Sequence, residues 1–411
     1  MALTLIANGR IVDGTADRPS DPVHVLIEND VIREVGPAVK ADRARVIDLK
    51  GRTLMPGLID CHVHVVATLA NLGQNAMLPD SLVAARAFGI MNAMLNRGFT
   101  TVRDVGGADH GLAVAAEEGL VPMPRLVRSG KALSQTGGHC DFRGRYDDTP
   151  TPRTGFRLGA LGRICDGLDE VRRASREEIK AGADFIKIMA NGGVASPTDP
   201  IHFMGFSREE IRAIVEEAAG AGTYVSAHLY TDEAIRRAVE CGVHSLEHCN
   251  LIEAETARLA AKAGAVAVPT LVTYDKLASE GASLGFPASS VAKIDNVRLK
   301  GLESLAIMEK AGLTMAYGTD LLGEMHRHQS EEFVIRARVL KPQAIIASTT
   351  HIAARLCRME GKIGTIAPGA WADLIAVEGD PLRDLSLLTG QGRHMPLIMR
   401  AGRVVRRRTM A

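Results

Sequence analysis

Two histidines, His62 and His64, stand two positions apart near the end of the apolar run Leu58–Val65. On a β-strand, residues i and i+2 face the same side, so such a pair can grip one metal ion. A strand end carrying two hydrogen-bonded imidazoles accounts for an isolated pair equally well. Four further residues bear on the choice. Lys187 lies inside Asp184-Phe185-Ile186-Lys187-Ile188-Met189, while Ser226-Ala227-His228, Leu246-Glu247-His248 and Gly318-Thr319-Asp320 each close an apolar run. Singly, each has a structural explanation: Asp320 as a helix cap, Lys187 as the partner of a nearby carboxylate. Jointly they are four imidazoles, an amine and a carboxylate, a donor set suited to divalent metals and to zinc in particular. A charged lysine is costly to bury in an apolar strand. Beside two cations its neutral amine can react with CO2, and the resulting carbamate is an anionic, two-oxygen ligand able to bridge two metals.

The elements that must position these residues alternate between apolar, β-branched runs and helical patterns, the signature of parallel βα units. Eight runs read as strands: Leu58–Val65, Phe99–Asp104, Arg125–Ser129, Ala183–Met189, Thr223–His228, Val243–His248, Ala265–Thr270 and Leu313–Thr319. Asp80–Asn96 and Asp169–Ala181 read as amphipathic helices, and Ser207-Arg208-Glu209-Glu210 as a capping box opening a helix to about Ala219. Eight such units predict an α/β fold, a (β/α)8 TIM barrel over 57–359, with the site at the C-terminal strand ends. The alternative, a doubly wound open sheet, lacks a glycine fingerprint after its first strand. Residues 1–56 and 360–411 break into short strands and turns, among them Val23–Glu28, Val31–Val35, Val46–Leu49, Lys362–Ile366, Ala372–Val377, Pro396–Arg400 and Arg403–Arg406. Together the two ends predict one small β-sandwich domain beside the barrel.

Bulk properties exclude several other roles. The 411 residues suit a large domain plus an appendage, and a net charge of +1 gives no electrostatic pull toward nucleic acid or membrane. The basic residues near the C-terminus read as a solvated tail. The six cysteines form no C-x-x-C pair, which fits a reduced, cytoplasmic protein. No signal peptide is legible, and no stretch of about 18 apolar residues offers a membrane span. There is no P-loop. His24, His110, His202, His326, His328, His351 and His394 read as structural. His326 and His328 repeat the spacing of His62 and His64, but in a helical context where i and i+2 diverge.

With these motifs in hand, the chain resembles the amidohydrolase superfamily over nearly its whole length. Thr136-Gly137-Gly138-His139, Lys187-Ile188-Met189-Ala190-Asn191-Gly192-Gly193-Val194, His228-Leu229-Tyr230-Thr231, Glu247-His248-Cys249-Asn250 and Tyr317-Gly318-Thr319-Asp320 are similar to the bacterial prolidase and carboxypeptidase-like branch. Ochratoxin-hydrolysing amidases are related, and imidazolonepropionase is a more distant neighbour. The resemblance implies two divalent metal ions, most readily Zn2+. His62 and His64 would hold the more buried ion with Asp320, His228 and His248 the second, and carboxylated Lys187 would bridge them. Asp320 would accept the proton of the attacking water and pass it to the leaving nitrogen. His139 and Tyr230 would donate to the oxyanion or to a substrate carboxylate. The implied substrates are Xaa-Pro or other dipeptides and N-acyl amino acids; a toxin or xenobiotic amide, or a cyclic amide, is the alternative. Arg103, Arg143 and Arg145 are candidates by position for reading a substrate carboxylate. Relatives often form homo-oligomers, which the resemblance extends to this chain. Two departures stand out: Cys249 where glycine is frequent and Leu229 where alanine is frequent.

Overall fold

The computed structural model describes residues 2–40, 42–150 and 155–408. All eight predicted runs contain strands: Leu58–Val63, Phe99–Asp104, Arg125–Arg128, Ile186–Met189, Val225–Thr231, Ser245–Leu251, Val266–Val268 and Thr314–Met315. Two short strands, Ala132–Ser134 and Gly162–Ile164, are additional. They lie in the loop region after the Arg125 strand, where three-residue strands are too short to show a period in sequence.

Pairing among these strands is parallel throughout. It falls into a three-stranded sheet, running from the Leu58 to the Arg125 strand, and a seven-stranded sheet holding the rest. Individual backbone bonds join the two at both seams. Cys61 N–H donates to Tyr317 O at 2.8 Å and Asp320 N–H to His62 O at 2.8 Å, while Asp184 N–H donates to Arg128 O at 2.8 Å. An α/β fold with parallel sheets is therefore present, although the ladder is not one continuous ring of eight strands.

The helices follow their sequence signals. Asp80–Asn96 is helical over the range expected, and Arg208–Gly220 opens on the reciprocal Ser207–Glu210 capping box. The His326 and His328 side chains diverge on the 3-10 helix Gly323–Glu331. His326 is buried and bonds Ala67 O at 3.2 Å, whereas His328 pairs with Glu331 and Glu280.

The chain ends meet in one mixed eight-stranded sheet. Thr53–Pro56 runs parallel to Leu3–Ile11 and antiparallel to Leu374–Val377, so an N-terminal strand pairs directly with a C-terminal one. Its core of Ile6, Val25, Ile27, Leu54, Leu374 and Met399 is separate from the main hydrophobic cluster. The Lys362–Ile366 segment is not a strand, and His351–Leu356 continues the helical region instead. Gly361 and Gly364, with φ of 74° and 68°, turn the chain too sharply for a ladder there. Among the described residues no helix is long and apolar enough to cross a membrane.

Candidate metal centre

His62 and His64 project from the first parallel strand onto one carboxylate. His62 Nε2 lies 3.4 Å and His64 Nε2 3.3 Å from the same Asp320 Oδ1. One ligand atom each from His62, His248 and Asp320 falls within 4.8 Å of the others, and all three side chains are buried or nearly so. The His228 ring packs 4.7 Å from His248, and His139 stacks on His228 at 4.3 Å. Tyr230 stands edge-on to His228 at 4.6 Å. Parallel pairing puts His228 in register with Glu247, so His248 stands one residue further along the neighbouring strand, beside Leu229.

Each imidazole spends one nitrogen on a protein acceptor. His62 Nδ1 bonds Glu247 Oε2 at 2.7 Å, His64 Nδ1 bonds Gly106 O at 2.9 Å, and His248 Nδ1 bonds Thr270 Oγ1 at 2.8 Å. His228 is turned the other way, its Nε2 lying 3.3 Å from Gly192 O. Nε2 of the first three and Nδ1 of His228 are left for the centre, the pattern in which an outer acceptor fixes tautomer and ring orientation. Burial pushes His228 and His248 well below the ordinary histidine range. Both rings are therefore neutral near pH 7, the form that ligates a metal. Burial would raise Asp320, but its pairing with His62 and His64 outweighs this and holds the carboxyl well below its usual range.

Lys187 is the anomaly of the centre. Its ammonium is fully buried and its Nζ has no hydrogen-bond partner. Burial pushes it down to about 8, against the opposing pull of Glu247 and Asp320. An unpartnered buried cation is costly. A modified, anionic side chain beside bound cations would resolve that cost, so the donor set fits the pair of divalent ions expected there.

Glu247 is a residue that spacing alone did not single out. Fully buried, it accepts from Arg103 Nη2 at 2.5 Å and from the Ser226 and Ser245 hydroxyls at 2.6 Å on one oxygen, and meets His62 on the other. Successive strand residues face opposite sides. Glu247 and His248 nevertheless both serve one centre, because the backbone turns left-handed at His248 and Cys249, with φ of 70° and 58°. The same conformation recurs at Asp320, φ 53°. Such strain, of order 1–3 kcal/mol per residue, concentrates where function over-determines the backbone. It also explains why glycine would suit the position of Cys249. The sequence signal for Glu247 was present: a carboxylate in an apolar strand carries the same burial penalty as Lys187.

Arg103, offered as a carboxylate reader, does not reach substrate space. It is fully buried, and its donors go to Cys61 O, Tyr224, Ser245 and Glu247. Arg143 is held by Asp141 at 2.6 and 2.8 Å, and Arg145 is exposed. A pocket of about 40 Å³ opens on the centre, lined by His64, His139, Tyr230, Asp320, Phe142 and Leu277, and no lysine or arginine among the described residues lines it.

His139 is fixed by Ser196 Oγ at 2.6 Å and by Asp199, whose carboxylate lies 3.5 Å away. Its ring fits only because residue 193 has no side chain: a Cβ there would sit 1.9 Å from His139 Nδ1. Gly193→Ala is therefore expected to displace the ring and to lower kcat by about 10²-fold, the loss typical of one oxyanion donor. His139→Ala should match it, with metal content unchanged in both. Full activity in Gly193→Ala would remove His139 from the reacting end of the site.

Known proteins match nearly the whole chain. The profile of the amidohydrolase family matches residues 53–405. Ochratoxinase of Aspergillus niger is 32% identical over 403 residues, covering 94% of this chain and 83% of that protein. The crystal structure of an amidohydrolase superposes with a TM-score of 0.98 at 55% identity, covering all of both chains. That of a prolidase complexed with N-methylphosphonate-L-proline gives 0.97 at 50% identity, covering 99% of this chain and all of the other. A buried cluster of histidines and aspartate at the ends of parallel strands, and likeness of this extent, place the chain in the amidohydrolase family.

Proposed function

We propose that the chain is a binuclear metal-dependent hydrolase that cleaves the amide bond of Xaa-Pro or other dipeptides and of N-acyl amino acids. The observation that carries this reading is Lys187, a buried amine without a partner beside the cluster of His62, His248 and Asp320. His62, His64 and Asp320 would hold one ion and His228 and His248 the other, with carboxylated Lys187 between them. Zinc suits these donors best. When bound, such a pair lowers the pKa of water and polarises the scissile carbonyl. The two parallel sheets would be the arcs of a (β/α)8 barrel, with a β-sandwich built from both ends, acting as a cytoplasmic homo-oligomer.

The protein's own groups account for the proton traffic. Asp320, ionised and shared between two imidazoles, would take the proton of the attacking water on a carboxylate oxygen. It would then return that proton to the leaving nitrogen. Tyr230 and His139 line the pocket together with Asp320 and would donate to the carbonyl oxygen as it gains charge, or to the substrate's carboxylate. Among the described residues no cation lines the pocket, so neutral donors would read that carboxylate. A second reading, an amidase for an amino-acid amide of a toxin, draws on the likeness to ochratoxinase and on the apolar wall of Leu72, Phe142, Val194 and Leu277.

Carboxylation needs the neutral amine: its nitrogen attacks CO2, an N–C bond forms and one proton leaves. The depressed lysine supplies that form more readily than an ordinary one, whose pKa is about 10.4. Lys187→Ala is expected to lose most of its bound metal and at least about 10²-fold in kcat. Elemental analysis and turnover of a dipeptide and N-acyl amino-acid panel would check both. Full metal content with full rate would end the bridging assignment. A wild-type protein without metal, inactive on every amide after zinc and bicarbonate are supplied, would end the enzyme assignment.

A further inference from the structure

Behind Tyr230 stands a second buried tyrosine that neither the motifs nor the proposed proton traffic employ. Tyr274, on the helix Leu271–Lys276, donates from its hydroxyl to Tyr230 Oη at 3.0 Å. Both residues are buried, and both line the pocket at the centre. Thr270, which precedes the same helix, lies through its hydroxyl 2.8 Å from His248 Nδ1, and the Tyr274 ring stands 6.2 Å from that imidazole. The tyrosine pair thus sits directly beside a residue of the centre.

The tyrosine pair has a direction. If His248 uses Nε2 at the centre, its Nδ1 carries the proton and must donate to Thr270 Oγ1. Each hydroxyl has a single proton. Thr270 accepts from His248, and Tyr274 spends its proton on Tyr230. Tyr230 Oη is then occupied as an acceptor on its buried side, so its proton is presented to the pocket. Hydrogen bonds in such a chain polarise one another and strengthen the terminal donor.

We propose that Tyr274 is a positioning residue, which by donating to Tyr230 Oη holds the Tyr230 hydroxyl as a donor to the substrate's carbonyl oxygen. The inference rests on the functional reading above, in which Tyr230 contacts that oxygen. Without Tyr274 the Tyr230 proton is free to rotate away from the pocket, and the donor must be reoriented at each turnover.

Tyr274→Phe removes one oxygen and keeps the ring contacts. It is expected to lower kcat about tenfold while KM stays within about twofold, the signature of an interaction felt in the transition state. The decisive comparison is a double-mutant cycle with Tyr230→Phe. If Tyr274 acts through Tyr230, adding Tyr274→Phe to Tyr230→Phe changes kcat no further. A binding readout stands beside it. By calorimetry, Tyr274→Phe should weaken the tetrahedral mimic N-methylphosphonate-L-proline by about the same factor, leaving L-proline affinity and zinc content unchanged. Equal, independent losses in the two backgrounds, or an unchanged Tyr274→Phe enzyme, would overturn the relay while leaving the role of Tyr230 standing. An unchanged Tyr230→Phe enzyme would overturn both.

Discussion

Asp320→Asn is expected to lower kcat by about 10³-fold, within the range that general acid–base groups contribute. At about 1.36 kcal/mol per tenfold this is roughly 4 kcal/mol of transition-state stabilisation. The choice of asparagine follows from the backbone. Asp320 sits at φ 53°, a conformation asparagine tolerates and alanine resists. The substitution keeps the shape of the side chain and both oxygen-side contacts in reach of His62 and His64, so the fold should survive it. What it removes is the charge and the proton site. One oxygen of Asp320 faces two imidazole nitrogens at 3.3 and 3.4 Å, and an amide there can neither accept a proton at neutral pH nor offset two cations. Stopped-flow or steady-state rates on any amide that the wild type turns over would measure the effect, with metal content and thermal midpoint recorded alongside. A loss of kcat with metal retained isolates the proton role; joint loss of metal and rate assigns Asp320 chiefly to ligation. A variant with kcat within a factor of about three of wild type would exclude the shuttle.

Much of this centre was legible in the chain because metal-ligating chemistry uses rare residue types at fixed places. His62 and His64 share a face by the period of two, while Lys187, His228 and His248 lie inside strands that run on past them and Asp320 follows the strand Thr314–Met315. The strands themselves were legible as apolar runs, and all eight contain a strand in the structure. What was not legible depends on backbone torsions and on contacts distant in sequence. Alternation sets Glu247 opposite His248, and only the left-handed turn at His248 and Cys249 brings both to one site. Arg103 lay next to loop residues and so looked available to substrate; its partner Glu247 is 144 residues away. Tyr274 carries no local signal, since its meaning comes from an oxygen 44 residues distant. The short strands Ala132–Ser134 and Gly162–Ile164 escaped for a different reason, being shorter than one detectable period.

Glu247 carries the other large expected effect, and it separates stability from metal binding. Its carboxylate is wholly enclosed and makes four contacts, with Arg103, Ser226, Ser245 and His62. Burial would raise it, but Arg103 and His62 outweigh that and hold it well below the usual carboxylate range. Glu247→Gln leaves the Arg103 guanidinium buried without a counter-charge, which costs about 3–5 kcal/mol. It also turns an amide N–H toward either Arg103 or His62 Nδ1, where only an acceptor fits. Loss of that outer acceptor should weaken metal affinity by about 10–100-fold. Urea unfolding of the metal-free protein and a competition titration with a chelator would read the two effects apart. The double variant Arg103→Met, Glu247→Gln then discriminates between causes. Removing both charges should restore most of the lost stability, since a buried pair replaced by neutral groups of similar volume is often close to neutral. Metal affinity should stay low, because a neutral amide oxygen is a weaker acceptor for the His62 N–H than the carboxylate it replaces. Recovery of both would mean that Glu247 serves the fold alone; recovery of stability only would make it the group that fixes the His62 imidazole for the metal.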